Sequence, residues 1–451
     1  MYGHIESFSI ENFKSYREKQ TLQLGTLSVL IGANASGKSN LIEAIKFANK
    51  LAEGNQLSSL EYNNNGLFRG APTDLFNNGQ ETFSFGYQII RNAFYRNEKD
   101  ASENKPVELG ILDFNTTISY RSNQLHIDQE SLTENNNTSP CYRIETTSVF
   151  PDHDIAVSYD TYTAEKRYMV TCSDQYPVFT QLNKSTAFSP EHSKAMESIL
   201  YNSRAVKGVL ESIYFLDVQP QAMRDYVHIH DSVSLNTNGH NVSSVLYDLW
   251  NSGKETQTQI LAFIQSLPEQ HVKRLEFIET PKNEVMVQLV ETFGNEEKAH
   301  DATLLSDGTL RVLAIAAALL SAPREALIII EEVDNGVHPS RARELVNTIY
   351  KTAQERKIRV LLTTHNPALM DAIPQETLKD VTFSYRDPES GCSRLQRFED
   401  MSNFPAFTLR APLGQLVTTG IVDKEAKSTV TAQERKEKGL SFLESMGWAI
   451  D

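Results

Sequence analysis

The sequence predicts an α/β fold, a mixed-sheet core with an antiparallel β lobe and a helical lobe inserted before its last third. Three observations predict it. An apolar run, Leu27 to Ile31, passes directly into a small-residue loop and then a helical pattern from Lys38 to Leu51. Two further apolar runs, Ala326 to Ile330 and Val360 to Leu362, alternate with helical spacing, as buried parallel strands do. The first third of the chain carries alternating runs suited to half-buried antiparallel strands.

Taken in order, Ile5 to Ile10 and Thr21 to Leu24 read as strands ahead of Leu27 to Ile31, and Thr82 to Ile90, Val107 to Tyr120 and Tyr142 to Phe150 as strands after the first helix. The Asn clusters Asn63 to Asn65 and Asn135 to Asn137 are turn chemistry. From Glu191 to about Gln270 the spacing is helical, with Val245, Leu246, Leu249 and Trp250, then Ile260, Leu261, Phe263 and Ile264. The expected division is therefore 1–190, the N-terminal part of the core with its β lobe; 191–270, the helical lobe; 271–422, the C-terminal part of the core; and 423–451, a charged helical tail that is solvated or docks through Leu440, Leu443 and Trp448.

Composition bounds the function. The 451 residues are 40% hydrophobic and 22% charged, which excludes wholesale disorder. With 43 Lys plus Arg against 58 Asp plus Glu, the net charge of -15 cannot hold nucleic acid through its overall field, so any such contact needs a local basic patch. The start, MYGHIESFSIENF, has neither a basic nor an apolar signal region, and no apolar run is long enough for a membrane span, so a cytoplasmic protein without membrane contact is expected. Cys141, Cys172 and Cys392 stand too far apart to suggest a zinc or disulfide framework.

Chemistry concentrates in four places. Gly32-Ala33-Asn34-Ala35-Ser36-Gly37-Lys38-Ser39 fits G-x-x-x-x-G-K-[ST] between a strand and a helix. Small residues let backbone N–H groups of Gly32, Asn34, Ala35, Ser36, Gly37, Lys38, Ser39 and Asn40 surround phosphate oxygens, and the helix N-terminus adds a favourable dipole. Lys38 is placed to bridge the β- and γ-phosphates, and Ser39 to offer its hydroxyl to Mg²⁺. The apolar strand ending in Glu331-Glu332 suits Glu331 for Mg²⁺ and Glu332 for a general base; alone, such a pair is more often a helix N-terminus or a solvated edge. His365, just past Val360 to Thr364, reads as a γ-phosphate sensor or as a core histidine. Ser306-Asp307-Gly308, opening an apolar helix, is an anion-binding cap or simply a cap.

The order Asn12-Phe13-Lys14-Ser15, Gly32 to Ser39, Leu305 to Thr309, Glu331-Glu332 and His365 resembles the ABC-type ATPases related to RecF, the structural-maintenance-of-chromosomes (SMC) proteins and the overcoming-lysogenization-defect nucleases. Within that group, L-S-D-G-T, Leu216 to Arg224 and Asn238-Gly239-His240-Asn241 are similar to the compact ATPases of bacterial defence loci, of Septu or PARIS type. The resemblance implies an ABC-type P-loop ATPase core using ATP and Mg²⁺, with Lys38, Glu332 and His365 catalytic. It implies that Ser306, Asp307 and Gly308 complete the ATP site of a second protomer, in a head-to-tail dimer or larger homo-oligomer. A separate nuclease or toxin subunit as partner, a phage-derived trigger and an antiviral role follow by the same analogy. Glu331 to Pro339 departs from the group's usual E-E-P-E-N-G-L-H-P. Gln80 and Gln88 both remain candidates for the metal-sensing glutamine. No long coiled coil is present, and nothing after Met370 resembles a nuclease metal cluster. The alternatives are a RecF-like repair ATPase that binds DNA directly and, further off, the nucleotide-binding subunit of a transporter.

Overall fold

Side-chain alternation along the central strands divides the molecule into two cores. The computed structural model describes residues 3–62, 67–91, 110–135, 137, 139–146, 153–162, 167–229, 234–265, 272–293, 296–333, 339–401 and 411–427. Its strands are β1 (Gly3–Glu11), β2 (Gln20–Gln23), β3 (Leu27–Ile31), β4 (Thr82–Arg91), β5 (Gly110–Arg121), β6 (Gln124–Glu134), β7 (Tyr142–Thr146), β8 (Asp154–Tyr159) and β9 (Tyr168–Ser173). They continue as β10 (Ile213–Leu216), β11 (Val227–His228), β12 (Val272–Glu279), β13 (Glu284–Phe293), β14 (Glu296–Asp301), β15 (Leu327–Ile330), β16 (Arg359–Thr364), β17 (Val381–Arg386) and β18 (Ser393–Arg397).

Eight strands form an antiparallel sheet in the order β2-β1-β4-β5-β6-β7-β8-β9. Six form the central sheet, β10-β15-β16-β3-β17-β18, parallel from β10 to β17 with β18 antiparallel at the edge. A smaller sheet gathers β11, β12 and β14 around β13. Because the strand period is two, Leu27, Val29, Ile31, Ile328, Ile330, Val360 and Leu362 enter one core, while Leu30, Leu327, Ile329 and Leu361 enter the other. The first core is filled by the helix Asp307–Ser321, apolar on nearly all sides, against the helices Val242–Asn251 and Lys254–Gln265. The second joins the helix Lys38–Ala52 to the aromatic face of the antiparallel sheet, where Phe13, Phe47, Phe83 and Phe85 meet. This is a mixed α/β architecture, a largely parallel central sheet joined to an antiparallel lobe.

The span expected to be helical, 191–270, is corrected in part. It holds helices, but also β10, an edge strand of the central sheet, and the short β11. The helix Ser193–Glu211 packs into the second core and the helices Val242–Asn251 and Lys254–Gln265 into the first, on opposite sides of the sheet. Four apolar residues between helical patterns, Ile213 to Leu216, are too short a run for periodicity to identify as a strand. The β5–β6 hairpin carries a signal that alternation alone missed, Ser122-Asn123 with φ of 50° and 64° at both turn positions. The helix Ile421–Ala426 crosses residue 423, with Val422 buried, so the chain docks on the core at least to there. Asn63 to Asn65, 107–109, 147–150, His338 and the tail residues Leu440, Leu443 and Trp448 lie outside the described residues. No helix among the described residues is long and apolar enough to cross a membrane.

One buried carboxylate holds the antiparallel lobe together. Glu130 on β6 accepts from the backbone N–H groups of Val178 and Phe179, both at 3.0 Å, and from the Tyr142 hydroxyl at 2.9 Å. Burial pushes its carboxyl up to about 7 against these stabilising bonds. Removing it leaves three donors without a buried acceptor, so Glu130→Ala is expected to cost about 2–5 kcal/mol of unfolding free energy in denaturant titration. The raised value means the native state keeps a proton that the unfolded chain loses above its ordinary value of 4.5. The stability this group contributes therefore falls as pH rises from about 4.5 to about 7, and the gap between wild type and Glu130→Ala should narrow over that window.

Candidate nucleotide-binding site

The loop between β3 and the helix Lys38–Ala52 has a shape that only its glycines permit. Gly32 and Gly37 lie at φ of 152° and 115°, and a Cβ would drive Gly32 into the Ser384 carbonyl oxygen and Gly37 into the Ser393 hydroxyl. Ala35, at φ 63°, completes the reversal. No side chain caps the helix that follows, and its first turn has no acidic residue. Its leading N–H groups and dipole therefore face the loop without a competing acceptor from a cap. Ser36 Oγ is buried with no hydrogen-bond partner. A buried hydroxyl of this kind in a ring of amides suits a phosphate oxygen, so the loop fits the group its sequence implies.

The Asn12 to Ser15 segment braces this loop from behind. Asn12 and Lys14 both take positive φ, at 56° and 48°. Ser15 Oγ accepts from Asn40 Nδ2 at 2.8 Å and from Ser393 Oγ at 2.7 Å, and Tyr16 donates to the Gly37 carbonyl at 3.2 Å. Burial raises the Tyr16 phenol far above its ordinary range, keeping it a neutral donor. Lys14 pairs with Glu43 on the helix and donates to the Arg69 carbonyl at 3.0 Å. The Asn40 side chain is thereby committed to the scaffold, though the residue lines the cleft.

Parallel strands bring the remaining groups to one edge. The cleft, about 690 Å³, is lined by Asn34 to Asn40 after β3, Glu331 and Glu332 after β15, Thr363, Thr364 and His365 at the end of β16, Asp217 after β10 and Arg386 at the end of β17. Ligands in open parallel sheets sit at this carboxyl end because every loop there can reach the same point. Lys38 Nζ rests on the Gly32 and Ala33 carbonyls at 2.5 and 3.0 Å, and burial lowers its pKa while the Glu332 carboxylate raises it. Glu332 is exposed and left-handed at φ 48°, with its N–H on Thr363 Oγ1 at 2.9 Å. That costly backbone turns its carboxylate out of the strand. Glu331 pairs with Lys46 at 2.7 Å, and the same ammonium lies 5.5 Å from the Phe215 ring centroid. His365 is exposed in the cleft, which removes the core-histidine alternative.

Not every expected residue arrives. Gly32 is buried at the root of the loop and does not line the cleft. Ser306, Asp307 and Gly308 also lie outside it, although Arg311 of the same helix lines it. Ser306 Oγ caps its helix by accepting from Thr309 N at 3.1 Å. Ser306 and Asp307 are exposed, and Leu304 beside them is 70% exposed. Arg224 fixes this loop through Asp307 at 2.8 Å and the Leu305 carbonyl at 2.9 Å. Neither Gln80 nor Gln88 lines the cleft, and Gln88 bonds Asp113 in the antiparallel sheet at 3.1 Å. Sequence reading assigned no role to Lys46, Arg69, Asp217, Arg311 or Arg386, although Asp217 lies in the Leu216 to Arg224 stretch and Arg311 follows the Ser306 cap on the same helix. Lys46 also carried a hint, two turns beyond Lys38 on the same helix.

With this geometry in place, comparison with known proteins is informative. Residues 4–214 match a family model described as an AAA ATPase domain, and residues 209–371 one described as "AAA domain, putative AbiEii toxin, Type IV TA system". A segment of 46 residues is 50% identical to structural maintenance of chromosomes protein 1 of Caenorhabditis elegans, covering 10% of this chain, and the chain spans 4% of the length of that curated relative. Among solved structures, an SMC head bound to the C-winged-helix domain of ScpA is 12% identical over 87% of this chain and 97% of its own, with a TM-score of 0.47. The SMC head domain from Thermotoga maritima is 12% identical over 87% and 98%, at 0.41. An Smc head with extended coiled coil, bound to the C-terminal domain of ScpA and derived from Pyrococcus furiosus, is 12% identical over 90% and 100%, at 0.47. Along 4–371 the chain is thus similar to ATPase domains, consistent with the loop, paired acids and sheet order described above.

Proposed function

We propose that the chain is an ATP-binding and ATP-hydrolysing regulatory subunit whose protomers pair head to tail around ATP and gate a separate nuclease effector in bacterial antiphage defence. The observation that carries the pairing is the split of the site: the phosphate loop, acids and His365 share one cleft, while the exposed Ser306 cap stands outside it. A second copy can bring that cap to the open mouth of the first, with Leu304 at the contact. The Septu- or PARIS-like context rests on the sequence resemblance. The toxin description attached to residues 209–371 supports an output aimed at the host cell.

Hydrolysis is then assigned to residues of this chain. Uncapped amides and Lys38 hold the triphosphate, and Lys38 leaves the Gly32 and Ala33 carbonyls to do so. Ser39 and Glu331 would hold Mg²⁺, Glu331 giving up its contact with Lys46, and the ion would supply charge neutralisation to the triphosphate. Glu332, turned out of β15, accepts the proton of the attacking water, and His365 contacts the γ-phosphate. The net charge of -15 suits a cytoplasmic protein that meets its effector through protein surfaces.

Lys38→Ala is expected to weaken ATP binding by roughly 100-fold or more, since charge-assisted phosphate contacts are worth about 3 kcal/mol; calorimetry with unchanged affinity would reject the loop assignment. Glu332→Gln should keep ATP affinity and lower steady-state hydrolysis by about 10²–10⁴-fold, because an amide cannot take the proton. Turnover near the wild-type rate would remove Glu332 as base. Ser306→Arg and Lys38→Ala should each be inactive alone. Mixed in equal amounts they should recover about one quarter of the wild-type rate, since half of random dimers contain one intact site. No recovery where mixed dimers demonstrably form would place the whole site within one chain.

A further inference from the structure

A second constellation lies in the antiparallel lobe and shares no residue with the nucleotide cleft. His126 on β6, His153 just before β8 and Asp174 just after β9 converge, and their ligand atoms all lie within 4.8 Å of one another. His126 Nδ1 is 2.7 Å from Asp174 Oδ2, and His153 Nδ1 is 3.0 Å from Asp174 Oδ1. The two imidazole rings stack at 5.6 Å with planes 25° apart. Asp174 is fully buried and His126 is 3% exposed, whereas the His153 side chain is 38% exposed.

The contacts of His126 suit a metal ligand. Its Nε2 lies 3.2 Å from the Arg121 carbonyl, an acceptor only, and its Nδ1 lies 2.7 Å from Asp174 Oδ2. With the ring hydrogen on Nε2, the Nδ1 lone pair is available to a cation that takes over its contact with the carboxylate. The Nε2–H to carbonyl bond is the outer-sphere contact that metal-bound histidines use to fix their tautomer.

The backbone also builds a frame around the three groups. Asp174 N donates to the His153 carbonyl at 2.8 Å, and the Asp174 carbonyl accepts from Ile127 N at 3.0 Å. Gln175 Nε2 bonds Asp174 Oδ1 at 3.1 Å and the Leu125 carbonyl at 3.0 Å, while Leu57 N bonds the Gln175 carbonyl at 3.0 Å. The Glu61 carboxylate, accepting from Leu125 N, adds negative charge nearby. Leu57 and Glu61 belong to the helix Leu57–Tyr62, next after the phosphate-loop helix.

We propose that His126, His153 and Asp174 bind one first-row divalent transition cation of the zinc type, stapling β6, the start of β8 and the end of β9 to one another. Two imidazoles and a carboxylate suit zinc-class ions over Mg²⁺ or Ca²⁺. Ligand atoms bonded to zinc at about 2.0–2.1 Å stand about 3.3 Å apart, so the 2.7 and 3.0 Å contacts open slightly while the widest separation, within 4.8 Å, closes as the partly exposed His153 turns inward. The partly exposed His153 provides the way in and leaves a fourth position for water.

The test uses the full chain, stripped with chelator and titrated with Zn²⁺, and with Co²⁺ as a spectroscopic probe. Wild type should retain one zinc per chain by elemental analysis after desalting, show tetrahedral Co²⁺ bands and melt at higher temperature with Zn²⁺. His153→Ala should lower zinc affinity by roughly 100-fold and lose both the bands and the thermal shift. His153→Cys should restore binding and add a thiolate-to-cobalt charge-transfer band, which separates ligand loss from misfolding. Zinc retained equally by wild type and His153→Ala, or none retained by wild type, would overturn the site and leave a hydrogen-bonded His126–Asp174 pair.

Discussion

Burial of β3 on both faces is the constraint on which the rest of this molecule depends. Its five residues are all buried, with Leu27, Val29 and Ile31 in one core and Leu30 in the other. A strand so enclosed cannot shift register without exposing apolar side chains, which fixes where its carboxyl end stops. The phosphate loop begins at that point, and β15 and β16 are held in parallel register beside it, Ile330 against Leu362 and Thr364 against Ile31. The geometry of the cleft is thus inherited from hydrophobic packing, with little asked of the loops themselves.

Local charge runs opposite to the charge of the whole. The chain is acidic overall, yet Lys38, Arg69, Arg311 and Arg386 converge on the cleft, with Lys46 just behind. Convergent cations in a polar cleft attract a polyphosphate regardless of a distant negative surface, because screening removes most of the field beyond about 8–10 Å. Lys38 rests on loop carbonyls and Lys46 on Glu331, so each cation is held by oxygen atoms of the site itself. These contacts keep each ammonium paired, and Lys38 has to leave them before it can meet a phosphate.

Bracing also separates roles among the polar residues around the loop. Ser15, Tyr16, Asn40 and Ser393 form a bonded cluster behind the phosphate loop, whereas Ser36 in the loop has a buried hydroxyl without a partner. Saturated groups rigidify the cradle, and the unpartnered hydroxyl is left to bond a phosphate oxygen. The Arg224 contacts treat the Ser306 loop alike, fixing its backbone while leaving its end exposed.

The sequence by itself determined the segments whose chemistry is local. G-x-x-x-x-G-K-S required a strand before it and a helix after it, and the glycine positions turned out to be those where a Cβ collides with neighbouring chain. Glu331-Glu332 and His365 were legible because each follows a short apolar run. Tertiary structure alone decided what depends on distant segments meeting. Ile213 to Leu216 became an edge strand only through pairing with β15, more than 100 residues later, and the span from 191 to 270 was divided between opposite faces of the sheet. Arg69, Asp217, Arg311 and Arg386 joined the cleft, Lys46 came to lie behind it on Glu331, and His126, His153 and Asp174 met, without any spacing that announces it. The physical reason is that periodicity reports which face of an element is buried, while the partner across that face is chosen by packing of the whole chain.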